Sequence, residues 1–271
     1  MSLIRLPGLI DPHVHLRDPG HTYKEDWYSG TASALAGGYT CVLAMPNTSP
    51  PITDSSSLEN ILEAAHGKVH CDYGIHVAGT SNNTSTVSAL SDKVSGLKLY
   101  LNDTFGDLRL DGLHIVNAHM SAWPDNRPVL CHAETYMAAA VLMLAVLHRR
   151  SVHICHVSRK EEIDLIRAAR EQGLAVTCEV TPHHLFMTNT DIDSIKEGRY
   201  MVSPRLNTIS DQNALWQAIA DGVVDCIATD HAPHTLLEKD SRNSPPGFPG
   251  LETSLALMLG AVREGRLSMK R

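Results

Sequence analysis

The feature that most limits what this chain can fold into is an alternation, repeated eight times, of short apolar runs with helix-like stretches. The runs are "LPGLIDPHVH", "YTCVLAM", "CDYGIHV", "GLKLYL", "PVLCHAE", "VHICHV", "AVTCEVTPH" and "DCIATDHA". Helical patterns fall between them around 24–36, 54–65, 82–94, 111–122, 135–149, 159–172 and 210–221, with a last one at 251–264. Strands that alternate with helices pair in parallel through right-handed crossovers. Eight such units in 271 residues predict an α/β fold, a single (β/α)8 TIM barrel over 1–271. An open doubly wound sheet is the alternative, but no Gly-rich phosphate fingerprint follows the first run. Gly37-Gly38 and Gly173 mark helix stops, and Ser158 with Glu161 reads as the cap of the sixth helix.

A formal charge of −7 without any basic run argues against a nucleic-acid surface. The six cysteines (Cys41, Cys71, Cys131, Cys155, Cys178, Cys226) show no CxxC spacing and sit mostly in apolar runs. That usage predicts buried, reduced thiols in a cytoplasmic protein. The longest apolar run, "MAAAVLMLAVL" at 137–147, is too short to cross a membrane and reads as a buried helix. No signal peptide precedes Arg5, so a soluble protein without a membrane partner is expected.

In such a barrel the chemistry sits at the C-terminal ends of the strands. The first run ends in "GLIDPHVHLRDPG" at 8–20, where alternate residues share a face, so His13, His15 and Arg17 look one way together. Lys98 lies in the fourth run, His132 ends the fifth, His156 the sixth and Asp230 the eighth. Taken singly, each has an ordinary explanation. A lone strand-end histidine is usually a hydrogen-bonded core residue, a lysine between leucines can snorkel outward, and Asp230 can cap a turn. Together, four imidazoles, a carboxylate and a lysine on one rim predict a metal site, and these ligand types suit Zn²⁺. An ammonium would repel a metal, since it only donates. Lys98 fits if carbon dioxide has converted its amine to a carbamate, an anion able to bridge two metals.

The motifs "HVHLRDPG", "GTASALAGGYTCVLAMPNTSPP", "GLKLYLNDTFGDLRL", "CHAE", "HICHVS", "CEVTPHHL", "TDHAPH" and "PPGFPGLE" closely resemble those of the dihydroorotases. The likeness is nearest to the dihydroorotase domain of the animal multifunctional proteins that also carry carbamoyl-phosphate synthetase and aspartate transcarbamoylase. The resemblance implies a barrel of the metal-dependent amidohydrolase type that reversibly cyclises N-carbamoyl-L-aspartate to (S)-dihydroorotate in pyrimidine biosynthesis. It implies two zinc ions, one held by His13, His15 and Asp230, the other by His132 and His156, with carboxylated Lys98 bridging both. Asp230 is then the catalytic base and acid. Arg17 and Asn47 fall on the substrate carboxylate with His234 beside them. Thr104 and Phe105 fall on a loop that closes over the substrate, and Pro246 and Gly247 fall among the substrate-binding residues. A further zinc at Cys155 and Glu179, near His132, is also implied. So are a homodimer, the synthetase and transcarbamoylase as domains of the same polypeptide, and flanking segments forming a small sandwich that this chain lacks.

One segment departs from the animal pattern. Where an arginine usually precedes the proline, this chain has Ser203-Pro204 with Arg205 after it. Two rival readings stand beside the dihydroorotase. A dihydropyrimidinase or hydantoinase acts on rings without the carboxylate, which Arg17 and Asn47 argue against. A non-catalytic structural domain would have lost metal ligands, whereas all six expected positions carry the expected residue type.

Overall fold

A computed structural model describes residues 5–104, 106–191 and 198–270. Eight strands run in order: β1 (Leu9–Val14), β2 (Tyr39–Ala44), β3 (Asp72–Ala78), β4 (Gly96–Tyr100), β5 (Val129–His132), β6 (Val152–Ile154), β7 (Val176–Val180) and β8 (Cys226–Ile227). Each is hydrogen-bonded to the next in the sheet, and the pairings are parallel. Beyond β8 the chain bridges back to β1 through Val14 and His231, with His15 N donating to His231 O at 2.7 Å. The sheet therefore curls into a nearly closed barrel, as the alternation predicted.

The helices lie between the strands and after the last one: α1 (Trp27–Ala36), α2 (Ser55–Ala65), α3 (Leu113–Ala122), α4 (Tyr136–His148), α5 (Lys160–Glu171), α6 (Pro182–Phe186), α7 (Ile209–Ala220), then, beyond β8, α8 (Leu236–Lys239) and α9 (Leu251–Arg263). Several start on reciprocal caps, in which Asp26, Asp54 and Thr208 accept from the backbone of Ser29, Ser57 and Asp211, whose side chains answer. Helices outside and side chains inside cover both faces of the strands, so β4 is buried at all five positions. Leu97 and Leu99 join the apolar core, and the strand alternation turns Lys98 to the barrel interior. Lys98 is 0% exposed, so it does not snorkel.

Four expectations need correction. The helix expected over 82–94 is only a 3-10 turn at Val87–Leu90. Asn83 explains this: its amide nitrogen donates to Thr53 O and Ala78 O, and its oxygen accepts from Thr80 N. Such side-chain bonds compete with helix formation. The partner at the start of α5 is Glu162, one residue beyond the expected Glu161, and it accepts from Ser158 N and Arg159 N. Ser158 Oγ itself accepts from Asn207. α4 is not buried all round, because Met143, Val146 and Leu147 are exposed on its outer side. The eighth apolar run is a regular strand only at Cys226–Ile227. Further on, Ala228 N still reaches Val180 O, but Thr229 N turns to Asp11 and His231 N to Thr229 Oγ1, and His231 meets β1 by an isolated bridge.

Candidate metal centre and substrate pocket

The rim of the barrel opens into a partly open cavity. All six residues expected around the metals line it: His13, His15, Lys98, His132, His156 and Asp230. Arg17, Asn47, Thr104, Pro246 and Gly247 line it too, with Tyr100 and Ser203 among the others. Phe105 lies outside the described residues. Cys155 and Glu179 sit behind the wall, and His234 borders the cavity through Arg17 and Pro246, which line it.

Asp230 is the hinge of the first half. Its Oδ1 lies 2.9 Å from His15 Nε2 and 3.3 Å from His13 Nε2. Burial alone would raise its pKa, but the two histidines outweigh that and hold it well below the carboxylate range. The other ring nitrogens are fixed from behind. His15 Nδ1 meets Asn47 Oδ1 at 2.5 Å, and His13 Nδ1 meets Glu179 Oε1. An acceptor on one imidazole nitrogen leaves the other as the ligating one. Asn47 therefore orients His15 as well as lining the cavity. Asp230 and His156 both have positive φ, 48° and 35°. Strained backbone of this kind persists where the surroundings over-determine it, often at sites of chemistry.

The second half is less completely partnered. Lys98 Nζ lies 3.0 Å from Cys155 Sγ and 5.2 Å from the Tyr100 ring centre. Among the described residues no carboxylate pairs with this lysine, although a buried ammonium without an anion is costly. His156 Nδ1 is buried without a hydrogen-bond partner. The rings of His132 and His156 are 4.4 Å apart. Burial lowers the pKa of both, and it lowers His15 to about 4, leaving neutral imidazoles, the form that ligates metals.

These residues fit a metal. His13, His156 and Asp230 each offer a ligand atom, all within 4.8 Å of one another. Burial and Lys98 push the His13 pKa down, yet Glu179 and Asp230 drive it up to about 10, so this spot calls for positive charge. A metal ion would supply it. A carbamate on Lys98 would remove the unpaired cation and add a further oxygen ligand. Cys155 and Glu179 also come together, but the third member of their cluster is His13, and His132 is not in it.

Arg17 is buried in the same cavity wall, with Nε donating to Pro233 O at 3.1 Å. Burial brings its pKa down to about 10, and it stays charged. Gly247 has φ +146°, and a Cβ there would fall 2.4 Å from Ala232 O, so only glycine lets this loop approach the rim. Ser203 lines the cavity and donates to Asp103 O, while Arg205 lines the neighbouring groove with Glu134 and Arg159. Sequence reasoning missed Asp11, although it shares the parity of His13 and His15. Its carboxylate is fully buried and accepts from His13 N at 3.1 Å and from Thr229 N at 3.2 Å. It also missed Lys24, which reaches His234 from the loop after β1.

A parallel eight-stranded barrel with histidines, an aspartate and a lysine around one rim cavity defines a metallohydrolase-type site. The amidohydrolase family pattern matches residues 4–270, and the chain belongs to that family. Within it the chain groups with the dihydroorotases. It is 36% identical over 299 residues to a dihydroorotase of Halobacterium salinarum, covering 98% of this chain and 68% of that protein. It is 53% identical over 268 residues to multifunctional protein CAD of Squalus acanthias, covering 99% of this chain but only 12% of that protein's length. Among solved structures, the inactive dihydroorotase-like domain of a Chaetomium thermophilum CAD-like multifunctional protein superposes with a TM-score of 0.81 at 28% identity, over 98% of this chain and 76% of that one.

Proposed function

We propose that the chain is a zinc-dependent dihydroorotase that interconverts N-carbamoyl-L-aspartate and (S)-dihydroorotate plus water in pyrimidine biosynthesis. The observation that carries this reading is Arg17, a buried guanidinium in the same cavity as the six metal-type side chains. A planar fork of donors matches a carboxylate, and the ring carboxylate separates dihydroorotate from dihydrouracil. In this reading His13, His15 and Asp230 hold one zinc and His132 and His156 the other, with carboxylated Lys98 between them. Metals there would polarise the amide carbonyl and make water more acidic. Asp230, beside both histidines, takes the proton from the attacking water and returns it to the ring nitrogen as the C–N bond breaks. In the closing direction it receives the proton from the attacking nitrogen. Arg17 and Asn47 hold the carboxylate, while Thr104, Phe105, Pro246 and Gly247 enclose the ring. A further zinc at Cys155 and Glu179 belongs to the same reading.

We further infer that 1–271 forms one barrel domain of a longer cytoplasmic polypeptide, a homodimer carrying carbamoyl-phosphate synthetase and aspartate transcarbamoylase domains. Among the described residues no helix is long and apolar enough to cross a membrane.

The test joins zinc analysis to turnover of dihydroorotate and dihydrouracil by one sample. Dihydroorotate alone should be opened, and Arg17→Met should cost on the order of 3–5 kcal/mol in kcat/KM, the scale of a broken buried pair. Equal turnover of dihydrouracil would move the assignment to the dihydropyrimidinase class. Full zinc with no turnover of either would make this a non-catalytic domain.

A further inference from the structure

The loop after β1 brings a second buried cation close to Arg17. Lys24 Nζ lies 3.0 Å from His234 Nδ1 and 3.0 Å from Glu238 Oε1, and its side chain is 2% exposed. On the other edge of the ring, His234 Nε2 lies 3.0 Å from Pro246 O and 3.1 Å from Arg17 Nη2. These contacts decide which nitrogen carries the proton. Ammonium and guanidinium groups only donate, and a carbonyl oxygen only accepts. With the proton on Nε2, Lys24 donates to the Nδ1 lone pair and Nε2–H donates to Pro246 O. With the proton on Nδ1, Lys24 faces an N–H and Pro246 O faces a lone pair, and only the Arg17 contact is served. Among the described residues, two satisfied contacts against one favour the Nε2–H form. Burial, then Arg17 and Lys24, hold the ring pKa down to about 3, so the ring stays neutral.

In that form the single His234 Nε2–H, accepted by Pro246 O at 3.0 Å, lies 3.1 Å from the donor Arg17 Nη2, so a carboxylate arriving there takes the Nε2–H in place of Pro246 O and accepts from Arg17 as well. We propose that Lys24 is a positioning residue for carboxylate recognition: through Nδ1 it fixes His234 with Nε2–H beside Arg17, so that both groups donate to the substrate carboxylate. The proposal deepens the dihydroorotase reading and rests on it. Glu238 keeps Lys24 in place, and is itself held by Tyr23 OH at 2.9 Å and Thr235 N at 3.0 Å. The pair also ties the loop after β1 to α8, across the seam where the barrel closes.

The tautomer can be read without substrate, from ¹⁵N–¹H correlation spectra of the histidine rings, with His234→Asn identifying the signals. The parent protein should show an unprotonated Nδ1 and a protonated Nε2 at His234, and Lys24→Met should lose that preference. In turnover, Lys24→Met should raise KM for dihydroorotate about tenfold, the scale of one charge-assisted hydrogen bond, with a much smaller change in kcat. Lys24→Arg keeps a donor and should restore both readouts. A parent protein whose His234 carries its proton on Nδ1 overturns the proposal, even if Lys24→Met cannot be folded. So does a Lys24→Met protein with unchanged tautomer and KM. A parent protein that binds zinc but does not open dihydroorotate removes the function reading, while the spectra still judge the role of Lys24 in setting the tautomer.

Discussion

At the seam between β1 and β8, Asp11 accepts from His13 N and Thr229 N, Asn47 holds the His15 ring, and Glu179 holds His13. Across the cavity, along β4 to β6, Lys98 meets a thiol and a ring face, and His156 Nδ1 meets no hydrogen-bonding partner. The two halves of one rim are thus built on different terms. The seam orients its histidines and aspartate with the protein's own hydrogen bonds, and so is organised before anything binds. The far half holds buried polar groups that the described residues do not balance, and that the proposed metals and carbamate would. Buried polar groups are costly when partly satisfied, so the two halves should respond to mutation in opposite ways.

The largest effect that could break this comparison is at Lys98. Lys98→Met removes a buried cation that no carboxylate balances and fills its place with a chain of similar length. Activity should fall by at least roughly 10²–10³-fold, as when a charge-stabilising group leaves a catalytic site. Stability of metal-stripped protein, measured by urea unfolding, should stay level or rise, because an unpaired buried charge costs several kcal/mol. A clear loss of metal-free stability would mean that Lys98 is already balanced, and the contrast between the halves would fall.

The seam should behave the other way. Asp11→Ala strands two buried N–H groups, each worth about 1–3 kcal/mol when left without an acceptor. Metal-stripped protein should therefore lose roughly 2–6 kcal/mol on the same measurement. Asp11→Asn retains an acceptor oxygen and should recover part of the loss. Indifference of the metal-free protein to Asp11→Ala would show that the seam, too, is organised only on binding.

The sequence made the far half easier to read than the near one. His132, His156 and Lys98, each ordinary alone, stand out because the alternation of strands and helices brings them to one rim together. The seam's ligands were equally visible in "HVHLRDPG", but what orients them was not. Asp11 shares their parity, yet its partner Thr229 comes from the opposite end of the chain and is adjacent only once the barrel closes. Lys24 lies in a polar loop, where a lysine has no local signature, and its partners arrive from α8 and the segment before it. The same limit appears in the fold. Strand order followed from the alternation, whereas the loss of the 82–94 helix turned on Asn83 reaching Thr53 and Ala78, contacts that no window of sequence contains.

The smallest effect sharpens the comparison at the edge of the seam. Burial alone would raise the pKa of Glu238, but Lys24, Thr235 and Tyr23 together bring it down to about 2 from an ordinary 4.5. A carboxyl whose pKa is depressed on folding contributes stability above its unfolded pKa. That contribution is lost as pH falls from 4.5 through about 2. The carboxylate is 27% exposed, so solvent screening reduces it to about 1 kcal/mol at neutral pH. Glu238→Gln should therefore weaken metal-stripped protein by that small amount at pH 7 and flatten its stability profile between pH 4.5 and 2. The parent and variant curves should converge at the acid end, where Glu238 is protonated in both the folded and unfolded parent. Parallel curves, with a constant gap at every pH, would assign the loss to packing and leave the Lys24–Glu238 charge pair with no part in holding the seam.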